Sequence, residues 1–407
     1  MGVLNSIPAL RHANFRLYFV GQAVSVIGSW VQTVAISWTL YQLTNSASLL
    51  GIAAFLTQGP QLVLTPLAGV WIDRHDLRRM LSAVQIINGV LAAALALLAG
   101  LGWLLPVHLL VASALLGVLN SFDTPLRQSL LIHLVEDRRD LGSAIGLNAS
   151  IFTTGRFIGP PVAGAMLAAF SPAACFLANA LSYAGLIVAL AVMHIKPTAK
   201  PPRAGVSVWQ SLLEGMRHAH AVPAIRVPLG LLAAVNISAA SALVLAPVFA
   251  AQVFGGHTEV LGWLLGVAGA GAVSGTVLMA RAGSLPAIAR LLARAPWLSL
   301  AGLVALILVP RWELALPAMF LVGAGIATTN VTTNALLQSS AAETLRARVI
   351  SLFAATRFGM DALGGLIAGL LASLIGPVGA IALEAAVLAG LMVWLVPKVR
   401  RVGAGLK

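Results

Sequence analysis

Ser150-Ile-Phe-Thr-Thr-Gly-Arg-Phe recurs half a chain later as Ser351-Leu-Phe-Ala-Ala-Thr-Arg-Phe. The chain has 407 residues, so the two copies occupy matching positions in its two halves. An internal repeat on this scale predicts two halves of the same architecture. Each copy also places an arginine, Arg156 or Arg357, in an otherwise apolar stretch. A charge there is costly unless it faces protein or water, so both arginines are candidate functional residues.

The composition indicates a chain that is solvated by lipid. Hydrophobic residues make up 59% and charged residues 9%, with a mean hydropathy of +0.95. Ordinary soluble domains carry about 25% charged residues. Apolar runs of roughly 20 residues, enough to cross a bilayer, recur along the whole chain. We therefore predict an all-α integral membrane protein with twelve transmembrane helices in two pseudo-symmetric six-helix bundles, spanning 16–42, 47–71, 79–102, 105–125, 143–170, 173–195, 225–253, 258–281, 291–310, 314–338, 348–374 and 377–396.

The location of the basic residues predicts the topology. The net charge is +13, and nearly all of the 25 Lys and Arg residues fall in segments on one side of the predicted spans. Arg311 is the exception outside, and Arg156 and Arg357 lie within spans. This asymmetry is the positive-inside rule with both termini cytoplasmic. The positive charge predicts contact with anionic membrane lipids as partners and no nucleic acid.

A polar, proline-rich stretch divides the chain. We predict an N-terminal six-helix bundle over 1–195, a cytoplasmic linker over 196–223 and a C-terminal six-helix bundle over 224–407. The linker contains an amphipathic helix that begins near Ser207 and carries Val208, Trp209, Leu212, Leu213 and Met216 on one face. Cys175 is the only cysteine, and His218 and His220 have no further ligands beside them, so no metal site is expected.

The loop after the second predicted span carries a recognisable motif. Gly69 is followed by Asp73, Arg74 and Arg78, and the chain reverses there at the cytoplasmic face. This pattern resembles the loop 2–3 signature of the major facilitator superfamily, although Asp76 replaces a second glycine. It is most similar to the subgroup that contains macrolide-efflux, siderophore-export and transmembrane secretion effector proteins. The resemblance implies that Asp73 and Arg74 form a latch between the bundles on the cytoplasmic side.

Further stretches carry the same resemblance over nearly the whole chain. They are Leu10-Arg-His-Ala-Asn-Phe-Arg-Leu, Gly28-Ser-Trp-Val-Gln-Thr-Val-Ala, Phe122-Asp-Thr-Pro-Leu-Arg-Gln, Ala144-Ile-Gly-Leu-Asn and Leu345-Arg-Ala-Arg-Val-Ile-Ser-Leu. Each match is weak alone, and together they are specific.

The fifth predicted span contains a glycine pattern that bears on direction, formed by Gly146, Gly155, Gly159, Pro160 and Gly164. Glycines four residues apart allow a neighbouring helix to approach closely, and the proline bends the helix. Importers also use small residues for packing. In the superfamily, however, the pattern resembles an "antiporter" motif that is typical of exporters.

Titratable groups within the spans are the candidates for coupling transport to an ion. They are Arg156, Arg357, Asp361, Asp123 and Glu384. Asp361 follows Arg357 by one helical turn, so these two can neutralise each other. Arg156 has Pro160 at the equivalent place and needs a partner from elsewhere, such as a carboxylate, a carbonyl, water or an anionic substrate. Asp123 fits the charge network of the loop motif, and Glu384 corresponds in the repeat to Asn179.

Uncharged polar residues and tryptophans predict the substrate cavity. The candidates are Trp30, Gln32, Thr33, Asn236, Asn330 and Asn334. Threonines can also bond to their own helix backbone, which would explain part of this pattern. A cavity lined by amides, hydroxyls and indoles suits a bulky organic solute better than an inorganic ion.

These observations predict a monomeric secondary transporter of a small organic solute, drug-like or siderophore-like, that works by alternating access. The resemblance implies proton-coupled efflux across a prokaryotic inner membrane, with H+ as the coupling ion and no cofactor. An importer or a lipid flippase of the same fold is the alternative. A membrane-embedded enzyme is disfavoured because the sequence shows no catalytic cluster of His or carboxylates, and ATP-driven transport because it has no phosphate-binding P-loop motif.

Overall fold

The computed structural model describes residues 7–72, 75–193, 216–341 and 345–405, and these ranges contain helices and turns but no strand. Asp73 and Arg74 of the loop motif lie outside the described residues. So does the predicted amphipathic linker helix, apart from Met216 at its end. The division into domains at 196–223 therefore stays a prediction.

Six long helices form the first half. Their bounds are α1 Ala13–Thr44, α2 Ala47–Ile72, α3 Leu77–Gly100, α4 Pro106–Leu131, α5 Leu141–Ala169 and α6 Pro172–Val192. Local chemistry fixes several starts: a proline begins α4 and α6, where its missing N–H costs nothing. Asp76 caps α3, because its carboxylate accepts the backbone N–H of Arg79 at 2.8 Å. The departure from the usual loop glycine thus has a local structural role.

The second half begins with a broken helix. The element α7 spans Pro223–Ala239 and is continued by short helices Ser241–Val244 and Ala246–Val248 and a π-turn Phe249–Val253. Then follow α8 Thr258–Ala280, α9 Leu285–Leu308, α10 Trp312–Ser340 and α11 Arg346–Ala404. At Gly376 the backbone of α11 has φ 76° and ψ 164°, a conformation that favours glycine. Gly376 therefore separates two arms, α11a (346–375) and α11b (377–404).

Short turns join antiparallel neighbours, so the helices have two common ends. We call the end with the turns at Asn45, Gly102, Phe170, Gly255 and Gly376 the distal end. The opposite end, where α3, α5 and α9 begin, is the proximal end. On the predicted topology the proximal end is cytoplasmic.

The described residues contain ten helices that are long and apolar enough to cross a membrane. One of the ten is the whole of α11, and α5 is not among them. Twelve spans result only when α11 is divided at Gly376 and α5 is added, so the predicted count is approached but not reproduced.

Among the described residues, the two halves contact each other chiefly through two helix pairs, α2 with α11a and α5 with α8, and to a smaller extent where the short helices that follow α7 touch α1 and α2. Glycines bring these backbones together: a Cβ added at Gly369 would lie 2.5 Å from the carbonyl oxygen of Ala47 and 2.8 Å from the Cα of Gly51. Beside them, Ser48 Oγ donates a hydrogen bond to Ser373 Oγ at 2.8 Å. In the other pair, a Cβ at Gly164 would lie 3.0 Å from the Cα of Gly262. These contacts all lie in the distal parts of the helices.

Gly369→Ala should lower the melting temperature of the protein in detergent. The added methyl would meet backbone atoms of α2, which cannot move as a side chain can, and overpacking typically costs about 1–3 kcal/mol. Gly185→Ala is the matched control, since a Cβ at this helical glycine meets nothing within 4 Å. The control should keep or slightly raise the melting temperature. Equal melting temperatures for the two variants would show that the α2–α11a contact is not tight.

Candidate functional site

The repeated arginines lie deep in the protein, one from each half. Arg156 is about 20 Å along α5 and Arg357 roughly 15 Å along α11a, at 1.5 Å per residue. Both side chains are partly exposed. Arg156, Arg357 and Asp361 are close enough to interact electrostatically, although they come from opposite halves. The structure thus brings three of the predicted coupling residues into one site.

The expected ion pair between Arg357 and Asp361 is not formed. Among the described residues, no nitrogen of Arg357 lies within 4.0 Å of a carboxylate oxygen of Asp361. Arg357 Nε and Asp361 Oδ1 are both buried without a hydrogen-bond partner. One-turn spacing allows such a pair but does not compel it, because Arg357 instead lies over the ring of Phe358, with Cζ 5.0 Å from the ring centroid.

Arg156 has an aromatic neighbour of its own. Its Cζ lies 5.9 Å from the centroid of Trp30 on α1, and no hydrogen bond or ion pair of its side chain occurs in the described ranges. The site therefore contains two cationic side chains, two aromatic rings and one carboxylate. These groups suit a solute with both anionic and aromatic or apolar parts.

The glycines of the α5 motif contact different partners. An added Cβ at Gly155 would lie 2.5 Å from Val26 Cγ1, and one at Gly159 would collide with Trp30 Cβ, so both glycines face α1. Gly164 instead faces α8. Gly146 has open space within 4 Å. A neighbouring helix thus approaches closely at Gly155 and Gly159, where it is α1, and at Gly164, where it is α8.

A buried ion pair lies elsewhere, at the proximal part of α4. Arg127 Nε donates to Asp123 Oδ2 at 2.5 Å, and Arg127 is 5% exposed. Gln85 of α3 joins both: its Nε2 donates to Asp123 Oδ1 at 2.6 Å, and its Oε1 accepts from Arg127 Nη2 at 3.2 Å. The sequence alone did not predict the roles of Arg127 and Gln85. The i, i+4 spacing of Asp123 and Arg127 was the available signal.

The loop motif is only partly described. Gly69 lies near the proximal end of α2. Arg78, on the first turn of α3, donates to the carbonyl oxygen of Met193, just after α6. The predicted latch by Asp73 and Arg74 stays a prediction.

Several predicted cavity residues are bonded inside one half. Gln32 is 1% exposed, and its Oε1 accepts from Asn179 Nδ2 of α6 at 2.7 Å. Thr33 is exposed and donates to the backbone carbonyl of Ser29 at 2.9 Å, as threonines in helices can. Only Trp30 of the three α1 candidates lies beside the arginines.

The asparagines of the second half behave similarly. Asn236 of α7 donates to Asn330 Oδ1 of α10 at 3.0 Å, and both are buried. Asn334, one turn further along α10, is partly exposed and accepts from Gln338 at 3.1 Å. Asn334 is therefore the more accessible of the predicted amides.

Glu384 lies apart from the arginines. It is 5% exposed and lies close to Ser241, beside the break in α7. Neither of its carboxylate oxygens is in hydrogen-bonding geometry with a described residue. It occupies the place that Asn179 holds in the first half, against the first helix of its own half.

Arg127→Gln should lower the melting temperature more than Arg357→Gln. The first change leaves the buried Asp123 without its cation, and breaking a buried pair typically costs about 3–5 kcal/mol. Arg357 makes no such bond. Thermal unfolding in detergent measures both.

The double variant Arg127→Gln with Asp123→Asn serves as the control for this comparison. It should recover part of the loss, because both partners are then neutral. A larger loss for Arg357→Gln than for Arg127→Gln would contradict the assignment of the buried pair.

Gly159→Ala should destabilise the protein and Gly146→Ala should not, although both lie in the α5 motif. The methyl at Gly159 would collide with Trp30 Cβ, whereas that at Gly146 enters open space. We expect a lower melting temperature, by overpacking of about 1–3 kcal/mol, for Gly159→Ala alone. Identical behaviour of the two variants would contradict close packing of α5 on Trp30.

Comparison with known proteins agrees with this architecture. A family model described as "Transmembrane secretion effector" matches residues 5–405. The "Enterobactin exporter EntS" of Shigella boydii serotype 4 (strain Sb227) is 26% identical over 382 residues, which is 92% of this chain and 89% of the relative. The "Staphyloferrin A transporter" of Staphylococcus aureus (strain NCTC 8325 / PS 47) is 26% identical over 273 residues, 65% of this chain and 66% of the relative.

Solved structures show the same fold. A point mutant of the nucleoside transporter NupG superimposes with a TM-score of 0.74 at 13% identity, covering 96% of this chain and 99% of that one. A bacterial homolog of the human lysosomal transporter Spinster, in an inward-facing and unoccupied conformation, gives a TM-score of 0.67 at 17% identity, covering 97% and 95%. The chain is a multi-pass membrane protein, and it belongs to the transmembrane secretion effector family of the major facilitator superfamily.

Proposed function

We propose that this protein exports a small organic solute with anionic groups, siderophore-like in chemistry, from the cytoplasm across a prokaryotic inner membrane. The observation that carries the proposal is the site formed by Arg156 and Arg357, one arginine from each half, at mid-depth. Two cations with one carboxylate leave a net positive site, which favours an anion. The relatives named as siderophore transporters support the solute class, and the exporter among them supports the direction.

Alternating access follows from the same geometry. The halves contact each other backbone to backbone at the distal end, at Gly369 and Gly164, and as far down as Arg156, where a Cβ at Gly269 of α8 would lie 2.5 Å from the Arg156 carbonyl oxygen. On the proximal side, a Cβ added at Gly146 of α5 would meet no neighbouring helix within 4 Å. This arrangement supports a site that is reached from the cytoplasmic end in the present conformation. Rocking the two halves would separate the glycine contacts and open the distal side.

We assign the coupling ion to H+ and its carrier to Asp361. Asp361 is the carboxylate that interacts with both arginines, so its protonation changes the charge that a bound anion meets. Asp123 is less suited because it is already bonded to Arg127 and Gln85. The protein would act as a monomer, since one chain supplies both arginines.

Transport of enterobactin and staphyloferrin A into inside-out proteoliposomes tests the function. We expect uptake of at least one when the lumen is acidic, and loss of most of that uptake in Arg156→Gln. Arg311→Gln is the matched control, because it removes the same charge from an exposed position at the distal end. Uptake only in right-side-out vesicles would indicate an importer instead. Equal uptake by Arg156→Gln and wild type would contradict the arginine site.

A cross-link tests alternating access separately. Ser48→Cys with Ser373→Cys places two thiols where the wild-type hydroxyls lie 2.8 Å apart, across the distal contact. Cys175 is fully buried and need not interfere. Oxidation should abolish transport and reduction should restore it, whereas the single variants should be indifferent to oxidant. Continued transport by the fully cross-linked protein would rule out opening at this contact.

A further inference from the structure

One face of α1 carries a row of polar side chains inside the first half, away from the arginine site. Tyr18, Gln22, Ser25 and Ser29 follow each other at one-turn spacing and therefore share a face. Tyr18, Gln22 and Ser25 are each 0% exposed. In this half, α1 packs against α6 and α4, and α3 packs against the same two helices.

Several polar atoms along this row have no hydrogen-bond partner in the part of the chain that the structure describes. On the row these are Tyr18 Oη, both amide atoms of Gln22 and Ser25 Oγ, and two further unpartnered atoms are Arg127 Nη1 of α4 and Asn88 Oδ1, one turn from Gln85 on α3. An apolar membrane interior makes such atoms expensive, and buried polar groups in proteins are nearly always bonded to protein or ordered water. The Gln22 amide needs two kinds of partner: a donor for its oxygen and an acceptor for its N–H groups.

The two ends of the row are joined to bonded groups. Tyr18 lies close enough to Arg127 and Asp123 to interact with both electrostatically. At the other end, Ser29 Oγ and Tyr183 Oη of α6 are 3.1 Å apart. Tyr183 also interacts electrostatically with Asp123 and Arg127. The unpartnered atoms of α1 thus lie between the Asp123–Arg127 pair and the Ser29–Tyr183 pair.

Donor-only and acceptor-only atoms occur together in this region. Arg127 Nη1 can only donate, and Gln22 Oε1 can only accept. Water satisfies both kinds at once and needs two to four polar partners, which this region offers. A lipid tail or an empty apolar void would satisfy none of them.

We propose that the Tyr18–Gln22–Ser25 face of α1 lines an internal water-binding site, enclosed by α1, α3, α4 and α6, whose waters reach the buried Asp123–Arg127 pair. The site is separate from the contact region between the halves. It makes the proximal ion pair hydrated although its side chains are buried.

Radiolytic hydroxyl-radical labelling of the full-length protein in nanodiscs, read by mass spectrometry, tests the proposal. Bound water generates radicals next to side chains that bulk solvent does not reach. Normalised to intrinsic reactivity, Tyr18 should be labelled at least several-fold faster than Phe176, which is equally buried in the apolar core. Labelling of Tyr18 no faster than that of Phe176 would overturn the proposal.

Gln22→Leu supplies the second measurement. If water occupies the site, the leucine removes two of its partners, so Tyr18 labelling should fall and the melting temperature should drop by a few degrees. If the region is dry, the same change removes two unpaired polar atoms and should raise the melting temperature. A rise would overturn the proposal, whatever the effect on transport. Gln338→Leu, at an exposed glutamine, is the control and should alter neither readout.

Discussion

Direct backbone contact at glycine is the interaction on which the arrangement of the two halves depends. Between helices in lipid, apolar side chains gain little by leaving one hydrocarbon environment for another. Close approach of main chains therefore has to supply the packing energy. It does so at Gly51 and Gly369, where α2 meets α11a, and at Gly164 and Gly262, where α5 meets α8. Both of these contacts lie distally, and the α5–α8 contact continues to the level of Arg156, where a Cβ at Gly269 would lie 2.5 Å from the carbonyl oxygen of Arg156.

Polar side chains that are bonded within one half differ from those that lie where the halves meet, and this difference separates structural from functional groups. Inside each half, polar side chains bond to one another across helices, as Gln32 does to Asn179 and Asn236 to Asn330. Such pairs fix the helices of a half relative to each other. Arg156 and Arg357 lie where the halves meet and have no such bond among the described residues. A binding site for a solute needs polar groups that are not already bonded to protein, as these arginines are not. A side chain whose hydrogen bonds are all made within the protein cannot form another with the solute.

The sequence predicted the larger elements well and the side-chain partners poorly. Long apolar runs identify helices in lipid, and the repeat singled out Arg156 and Arg357, one from each half, as candidate functional residues. The break at Gly376 also agreed with the predicted end and start of the last two spans. These features depend on chain length, charge and backbone freedom, all of which a sequence displays directly.

Which side chains bond to each other depends on how each helix is rotated about its axis, and the sequence does not display that rotation. One-turn spacing fitted Arg357–Asp361 and Asp123–Arg127 equally well, yet only the second pair is bonded, with Gln85 of the neighbouring α3 joining both of its members.

The repeat also shows how the halves have diverged. Asn179 and Glu384 occupy equivalent places, each buried against the first helix of its own half. The amide is bonded to Gln32, and α1 runs unbroken past it to Thr44. The carboxylate has no bonded partner in the described residues, and α7 breaks beside it at Ala240–Ser241. A bonded amide pair therefore accompanies an unbroken helix, whereas an acid without a bonded partner accompanies a segmented one. If the halves move against each other, the segmented α7 is the element whose distal part can bend without disturbing the buried polar pair between Asn236 and Asn330.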